Sequence, residues 1–181
     1  MALVHQIQGF LKKKLEETKL KRKDLAYKTD IPYSTISKII NAVRDNPELI
    51  NILKIANYFK CSMDEIVGRD DYALSHQETQ EFLNVSPKDV STNLREFVKK
   101  KLEQQKLNLY VLSKNIGSSE ETLPQFMKDN GKQKTLGSAV TVALADYFQV
   151  SLDEIVGRIN PNTSCNDQSS QQNSNCDVEP R

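Results

Sequence analysis

Between Arg22 and Asn41 the chain reads RKDLAYKTDIPYSTISKIIN. Ser34, Ser37, Lys38 and Asn41 stand three or four residues apart, the spacing that gathers side chains on one face of a helix. Their hydroxyl, ammonium and carboxamide groups form no nucleophile–base pair. They suit non-covalent recognition: an asparagine carboxamide fits the edge of adenine, an ammonium fits guanine acceptors, and a hydroxyl serves either. Pro32 and Tyr33 open the same face. Lys21, Arg22 and Lys23 fall at the expected start of the preceding helix, where the positive end of the helix dipole reinforces cationic side chains and favours a phosphate. Arg44, just beyond the face, is a further candidate for phosphate contact.

Two short helices must hold this face. Leu25 and Ala26 belong on the inner side of the first, Ile36 and Ile39 on the inner side of the second, and Ile31 plugs the corner. Pro32 disfavours helix at Ile31 and places the turn there. Ala26 is small where the helices cross. The helix over about 33–41 then has one buried face and one free face, and a major groove is wide enough to admit it. This arrangement, with the following PELINILKIANYFKCSMDEIVGR, resembles the lambda-repressor and Cro-like family, also called the Xre type. The resemblance spans most of 10–69 and, more weakly, 97–158. It implies that about 33–41 is the recognition helix, that Pro32, Tyr33, Ser34, Ser37, Lys38 and Asn41 face bases, and that Thr35 lies near the backbone and joins Lys21, Arg22, Lys23 and Arg44 as a phosphate contact. The family's turn glycine is replaced by Asp30, a mild departure because Asp tolerates the left-handed conformation.

The unit is written twice. IANYFKCSMDEIVGR at 55–69 returns as LADYFQVSLDEIVGR at 144–158, and FLKKKLEETKL at 10–20 returns as FVKKKLEQQKL at 97–107. The offsets are 89 and 87, which puts a two-residue insertion near Asn130–Leu136. Leu3, Ile7, Phe10, Leu11 and Leu15 recur at helical spacing, as do Val90, Leu94, Phe97, Val98 and Leu102. Ser86-Pro87 is expected to cap the second of these helices, Asn46-Pro47-Glu48 the fourth helix of the first unit, and Ser62 the fifth, with Gly68 ending it. The expected fold is all-α: two tandem five-helix lambda-repressor-like DNA-binding domains at 1–69 and 88–158, an acidic linker at 70–87, and a disordered C-terminal tail at 159–181. The tail's Asn, Gln and Ser cannot supply a core. Net charge follows this division, +5, −4, +2 and −2 for domain, linker, domain and tail, on a chain of net +1. A local basic patch on a nearly neutral chain still binds phosphate.

The second copy departs at the corresponding face, LYVLSKNIGSSEETLPQFMK at 109–128. Ser113, Gly117, Leu123 and Phe126 keep the small residue, the turn and the core. Glu120 and Glu121 replace Tyr33 and Ser34, and carboxylates repel a phosphate-lined groove. Pro124 inside a helix costs about 3 kcal/mol, unless the helix starts later, near Thr122. Gln125, Lys128, Lys132 and Lys134 remain as contact candidates, and dimerisation, partner binding or weak support of the backbone are the alternative roles.

Other features have plainer readings. Lys12–Lys14 and Lys99–Lys101 are solvated helix faces, and Tyr58-Phe59 and Tyr147-Phe148 pack in the core. His5 and His76 are isolated, and Cys165 and Cys176 lack the further ligands a zinc site needs. No glycine-rich phosphate loop or catalytic constellation occurs. The expectation is a non-enzymatic, prokaryotic or phage transcription regulator, repressor-like, whose partner is double-stranded DNA. It has no cofactor, metal, membrane or evident small-molecule ligand, and it has the option of a homodimer through the second unit. Three scattered cysteines and the lack of a signal peptide suit the cytoplasm and its nucleoid. The alternative is a protein-interaction module, antitoxin-like or anti-regulator, whose second domain binds a protein or dimerises.

Overall fold

The computed structural model describes residues 3–43, 46–74, 82–128 and 135–159, and the described residues form helices joined by turns, with no strand. The first group comprises α1 (Leu3–Thr18), α2 (Arg22–Thr29), α3 (Tyr33–Ile40), α4 (Leu49–Phe59) and α5 (Met63–Val67). After α6 (Asp70–Leu74), a second group comprises α7 (Val90–Gln105), α8 (Leu109–Asn115), α9 (Thr122–Met127), α10 (Ser138–Phe148) and α11 (Leu152–Ile155).

Apolar periodicity explains each helix. Ile7 and Leu11 of α1, Leu25 of α2, Ile36 and Ile39 of α3, Ile52, Leu53 and Ile55 of α4, and Met63 and Ile66 of α5 are fully buried. Leu94, Val98, Leu112, Leu123, Phe126, Leu144 and Leu152 play the same part in the second group, and one continuous cluster joins both. Phe10 and Phe59 meet edge to face at 6.0 Å, and Phe97 and Phe148 do so at 5.8 Å, so these aromatics pack rather than stand free. The left-handed helix ends also recur. Lys19 and Lys106, Asp30 and Gly117, Lys60 and Gln149, and Gly68 and Gly157 all have positive φ. In each pair the two positions stand 87 or 89 residues apart.

One helix start and one cap differ from the sequence expectation, and a third helix takes the later of two expected starts. Helix α7 begins at Val90 rather than at Pro87, because Ser86–Asp89 closes its own turn, the Asp89 N–H donating to the Ser86 carbonyl at 2.9 Å. Asn46 does not cap α4. Its Oδ1 accepts from the Ala139 N–H at 3.0 Å and the Ser138 hydroxyl at 2.9 Å, and so caps α10. Helix α9 starts at Thr122, the later of the two starts considered, so Pro124 is its third residue. There the amide has no intrahelical partner to lose.

The segment between the groups carries structure of its own. The Phe82 ring lies under the Arg158 guanidinium at 4.6 Å, the Leu83 N–H donates to the Arg158 carbonyl at 2.8 Å, and Val85 packs on the core. Ile159, the first residue of the polar tail, is itself buried. Residues 160–181 lie outside the described residues, as do Arg44, Lys132 and Lys134.

The two groups meet through α4–α5 and α10–α11. The Asp64 carboxylate accepts from the Leu152 N–H at 2.8 Å, and the Asp153 carboxylate accepts from the Met63 N–H at 2.9 Å and the Ser62 hydroxyl at 2.6 Å. Each aspartate thus caps the opposite short helix and favours its positive end. Each also pairs with an arginine of its own group, Asp64 with Arg69 and Asp153 with Arg158. Those arginines cross over in turn: Arg69 donates to the Val150 carbonyl at 3.1 Å and Arg158 to the Cys61 carbonyl at 3.1 Å. Glu48 and Gly137 form an antiparallel bridge beside them. Buried charges need this degree of pairing, because an uncompensated ion in the interior costs several kcal/mol.

Candidate nucleic-acid interface

Helices α2 and α3 meet across a tight turn at Asp30, whose backbone is left-handed at φ 51° and ψ 42°. The Asp30 N–H closes onto the carbonyls of α2, and the Ile31 N–H bonds the Ala26 carbonyl at 3.1 Å. Ile31 is buried at the corner, as its place in the sequence predicts. Lys54 of α4 secures the turn, its Nζ donating to the Asp30 carbonyl at 2.6 Å and to its carboxylate at 2.9 Å. A charged partner at the C-terminal end of α2 also satisfies a carbonyl that no helical N–H can reach.

Helix α3 is sharply two-sided. Ile36, Ile39 and Ile40 are buried, whereas Pro32, Tyr33, Ser34, Lys38 and Asn41 are exposed, with Thr35 and Ser37 half-buried. Burial of the isoleucines fixes the rotation of the helix, since truncating such a side chain to alanine costs about 2–5 kcal/mol. From α1, Gln8 Nε2 donates to the Ile40 carbonyl at 2.7 Å and fixes the far end. The outward groups are therefore held on a rigid support.

The two halves of the expected site adjoin. Arg22, at the start of α2, donates through Nη1 to the Asn41 Oδ1 at 3.4 Å, and Asn41 Nδ2 lies 3.5 Å from the Ser37 hydroxyl. Lys21 and Lys23 flank Arg22 and are exposed. One surface thus runs from the cationic start of α2 to the end of α3. Sequence reasoning gave the members of this surface but missed the Arg22–Asn41 contact, the support from Gln8, and Tyr27, which is 90% exposed on α2. Only the fold brings residues 19 apart into contact. Arg44 lies outside the described residues.

The corresponding surface of the second group is built differently. Leu123 and Phe126 of α9 are buried, and Arg95 of α7 donates to the Phe126 carbonyl at 2.9 Å. Outside stand Glu120, Glu121, Gln125 and Lys128. Gln125 is engaged with the Glu121 carboxylate at 2.9 Å. The Tyr110 hydroxyl bonds Glu120, and that carboxylate holds the phenol above its ordinary pKa. Tyr110 and Val111, on the outside of α8, are 51% and 36% exposed. In place of three cations, the lead-in to α8 is Asn108, Leu109 and Tyr110.

A tight helix pair, a buried inner face and a free polar outer face define a helix-turn-helix protein. Residues 11–66 match the family model described as Helix-turn-helix. An uncharacterized HTH-type transcriptional regulator of Rickettsia prowazekii (strain Madrid E) is 49% identical over 72 residues, which are 38% of this chain and 78% of that protein. An uncharacterized HTH-type transcriptional regulator of Rickettsia conorii is also 49% identical over 72 residues, 38% of this chain and 66% of that protein. The chain belongs to the helix-turn-helix family, with a Cro/C1-type domain at residues 11–66. No solved structure matches it significantly. Among the described residues, no helix is long and apolar enough to cross a membrane.

Proposed function

We propose that the chain is a sequence-specific regulator of transcription, repressor-like, that binds double-stranded DNA and places α3 in the major groove. The observation that carries this reading is the two-sided α3: three buried isoleucines opposite an exposed Tyr33, Ser34, Lys38 and Asn41 that adjoin Arg22. Pro32, Tyr33, Ser34, Ser37, Lys38 and Asn41 face bases, Asn41 suiting adenine and Lys38 guanine. Lys21, Arg22, Lys23, Thr35 and Arg44 bond phosphates and set the register. In this reading residues 1–69 are the DNA-binding domain, 70–87 the acidic connection, and 88–158 a divergent duplicate followed by the polar tail.

The duplicate contributes little to base reading. Glu120 and Glu121 stand where Tyr33 and Ser34 stand in the first copy, and like charge opposes approach to phosphate. Gln125, Lys128, Lys132 and Lys134 are left to make secondary contacts. A second reading of the duplicate, as a surface for a protein partner, is favoured by the exposed Tyr110 and Val111 beside those carboxylates. A homodimer through the second copy would have to leave α10 and α11 aside, because they are already packed on α4 and α5.

Selection of the full chain on a random duplex library tests the function. The expected outcome is an enriched motif bound at about 10⁻⁸–10⁻¹¹ M at physiological salt. Lys38→Ala and Asn41→Ala should each weaken that site by about 1–3 kcal/mol and relax the preference at one position. Failure to enrich any motif would sink the reading. Retention of regulatory activity by both variants, with its loss on replacing Glu120 or Glu121, would favour the partner-binding alternative.

A further inference from the structure

The contacts between the two helix groups are reciprocal. Asp64 bonds the N–H of Leu152, and Asp153 bonds the N–H of Met63. Arg69 bonds the Val150 carbonyl, and Arg158 bonds the Cys61 carbonyl. Within each set, every residue is exchanged for the one 89 positions away. The antiparallel bridge joins Glu48 to Gly137, again 89 apart, so these two residues are each other's equivalent. A contact that maps onto itself when the partners are swapped is the signature of an isologous, twofold interface. Here the twofold relates two halves of one chain and passes beside the Glu48–Gly137 bridge.

From this geometry we infer that a single chain is the DNA-bound unit, and that its target is an asymmetric duplex site with one specifically read half. The inference rests on the DNA-reading assignment above and goes on to name the kind of site. A conventional twofold reader obtains its symmetry from two identical chains, and its operator is correspondingly palindromic. In this chain the symmetric face is already used. Asp64 and Asp153 are wholly buried and Arg158 is 1% exposed, so the α4–α5 face has no vacancy for a second copy. Tethering within one chain also gives the internal partner a high effective concentration over any free one.

The two surfaces related by the twofold are chemically unequal. The α2–α3 side presents Lys21, Arg22, Lys23 and Lys38, with Asn41 at its end. The α8–α9 side presents Asn108, Tyr110, Glu120 and Glu121, with Lys128 at its end. Approximate symmetry of the backbone thus carries asymmetric chemistry. The bases opposite α9 meet carboxylates, and any preference there is weak. The selected motif lacks an inverted repeat.

The test combines selection with stoichiometry. The full chain is selected on random duplex DNA, and the mass of its complex with the winning duplex is measured by sedimentation at protein concentrations below and well above the Kd. The expected result is one ungapped asymmetric motif and one chain per motif at every concentration. Writing the motif a second time as an inverted repeat should leave the affinity per site within about twofold, since no avidity of the usual 10²–10⁴ size is available. An inverted repeat occupied by two chains, or strong tightening on the doubled site, overturns the inference and leaves the DNA-reading assignment standing. Enrichment of no motif overturns both.

Discussion

Replacing Asp153 by alanine should cost the folded chain about 3–5 kcal/mol, the usual result of breaking a buried ion pair from one side. Asp153 is wholly buried and Arg158 is 1% exposed. Truncation removes the counter-charge of the guanidinium, which keeps only the Cys61 carbonyl at 3.1 Å and the face of Phe82 at 4.6 Å. Arg158 Nε already has no hydrogen-bond partner. The first N–H of α5 also loses its acceptor at 2.9 Å. A whole domain is stable by about 5–15 kcal/mol, and in a chain of this size each kcal/mol moves the midpoint by about 2–4 °C. The thermal midpoint, followed by circular dichroism at 222 nm, should therefore fall by about 6–20 °C. Asp146→Ala serves as the control. Its carboxylate binds Arg69 at 2.8 Å but is 60% exposed, and an exposed pair contributes about 0–1 kcal/mol. Asp153→Ala combined with Arg158→Met should recover most of the loss, because apolar replacement of a whole buried pair is often close to neutral. A single variant melting within about 2 °C of the parent, or a double variant no better than the single, would refute the reasoning.

Two further outcomes follow from the same structure. Lys21→Ala and Lys23→Ala should each weaken binding almost equally on specific and random duplexes, and each should lower the slope of log affinity against log salt by about 1. Fluorescence anisotropy between low and physiological salt reads this directly, and unchanged slopes would remove these residues from the phosphate contacts. Burial is the largest influence on Asp64; Arg69 opposes it and the charge of Asp153 adds to it, and together they push the carboxyl up from 3.8 to about 6. The folded chain then holds this proton more tightly than the unfolded chain does. The associated stability is complete below about pH 4 and is lost as the pH rises through about 6, a change on the order of 3 kcal/mol. Urea unfolding of the parent and of Asp64→Asn from pH 4 to 7.5 should show the parent losing ground to the variant across that window. A gain by the parent would reverse the assignment.

Much of the fold follows from local rules written in the residues. The helical spacing of Leu3, Ile7 and Leu11, the proline after Ile31, and the glycine at 68 act over a few residues, so the chain declares them without help from the rest. The same holds for the outward face of α3, because Ile36 and Ile39 at helical spacing leave only one orientation for Ser34, Lys38 and Asn41. The similarity of 10–20 to 97–107 and of 55–69 to 144–158 is likewise a property of the string, as are Glu120 and Glu121 at the positions 87 residues after Tyr33 and Ser34. What lay beyond that reading depends on contacts between distant segments. Asn46 reads as a cap for the helix that follows it and instead caps α10, because packing carries Ser138 and Ala139 to it. SMDEIVGR reads as a helix capped by Ser62 and ended by Gly68, yet Asp64 and Arg69 turn across to the other half. The buried carboxylates are satisfied there by N–H groups and a hydroxyl brought from 88 to 91 residues away and by a guanidinium from the next turn. Amino-acid pattern determined which groups face outward. Tertiary packing decided that the two helix groups pair with each other, because a self-complementary charged surface is neutralised most readily by the nearest surface of the same kind, and in this chain that surface is covalently attached.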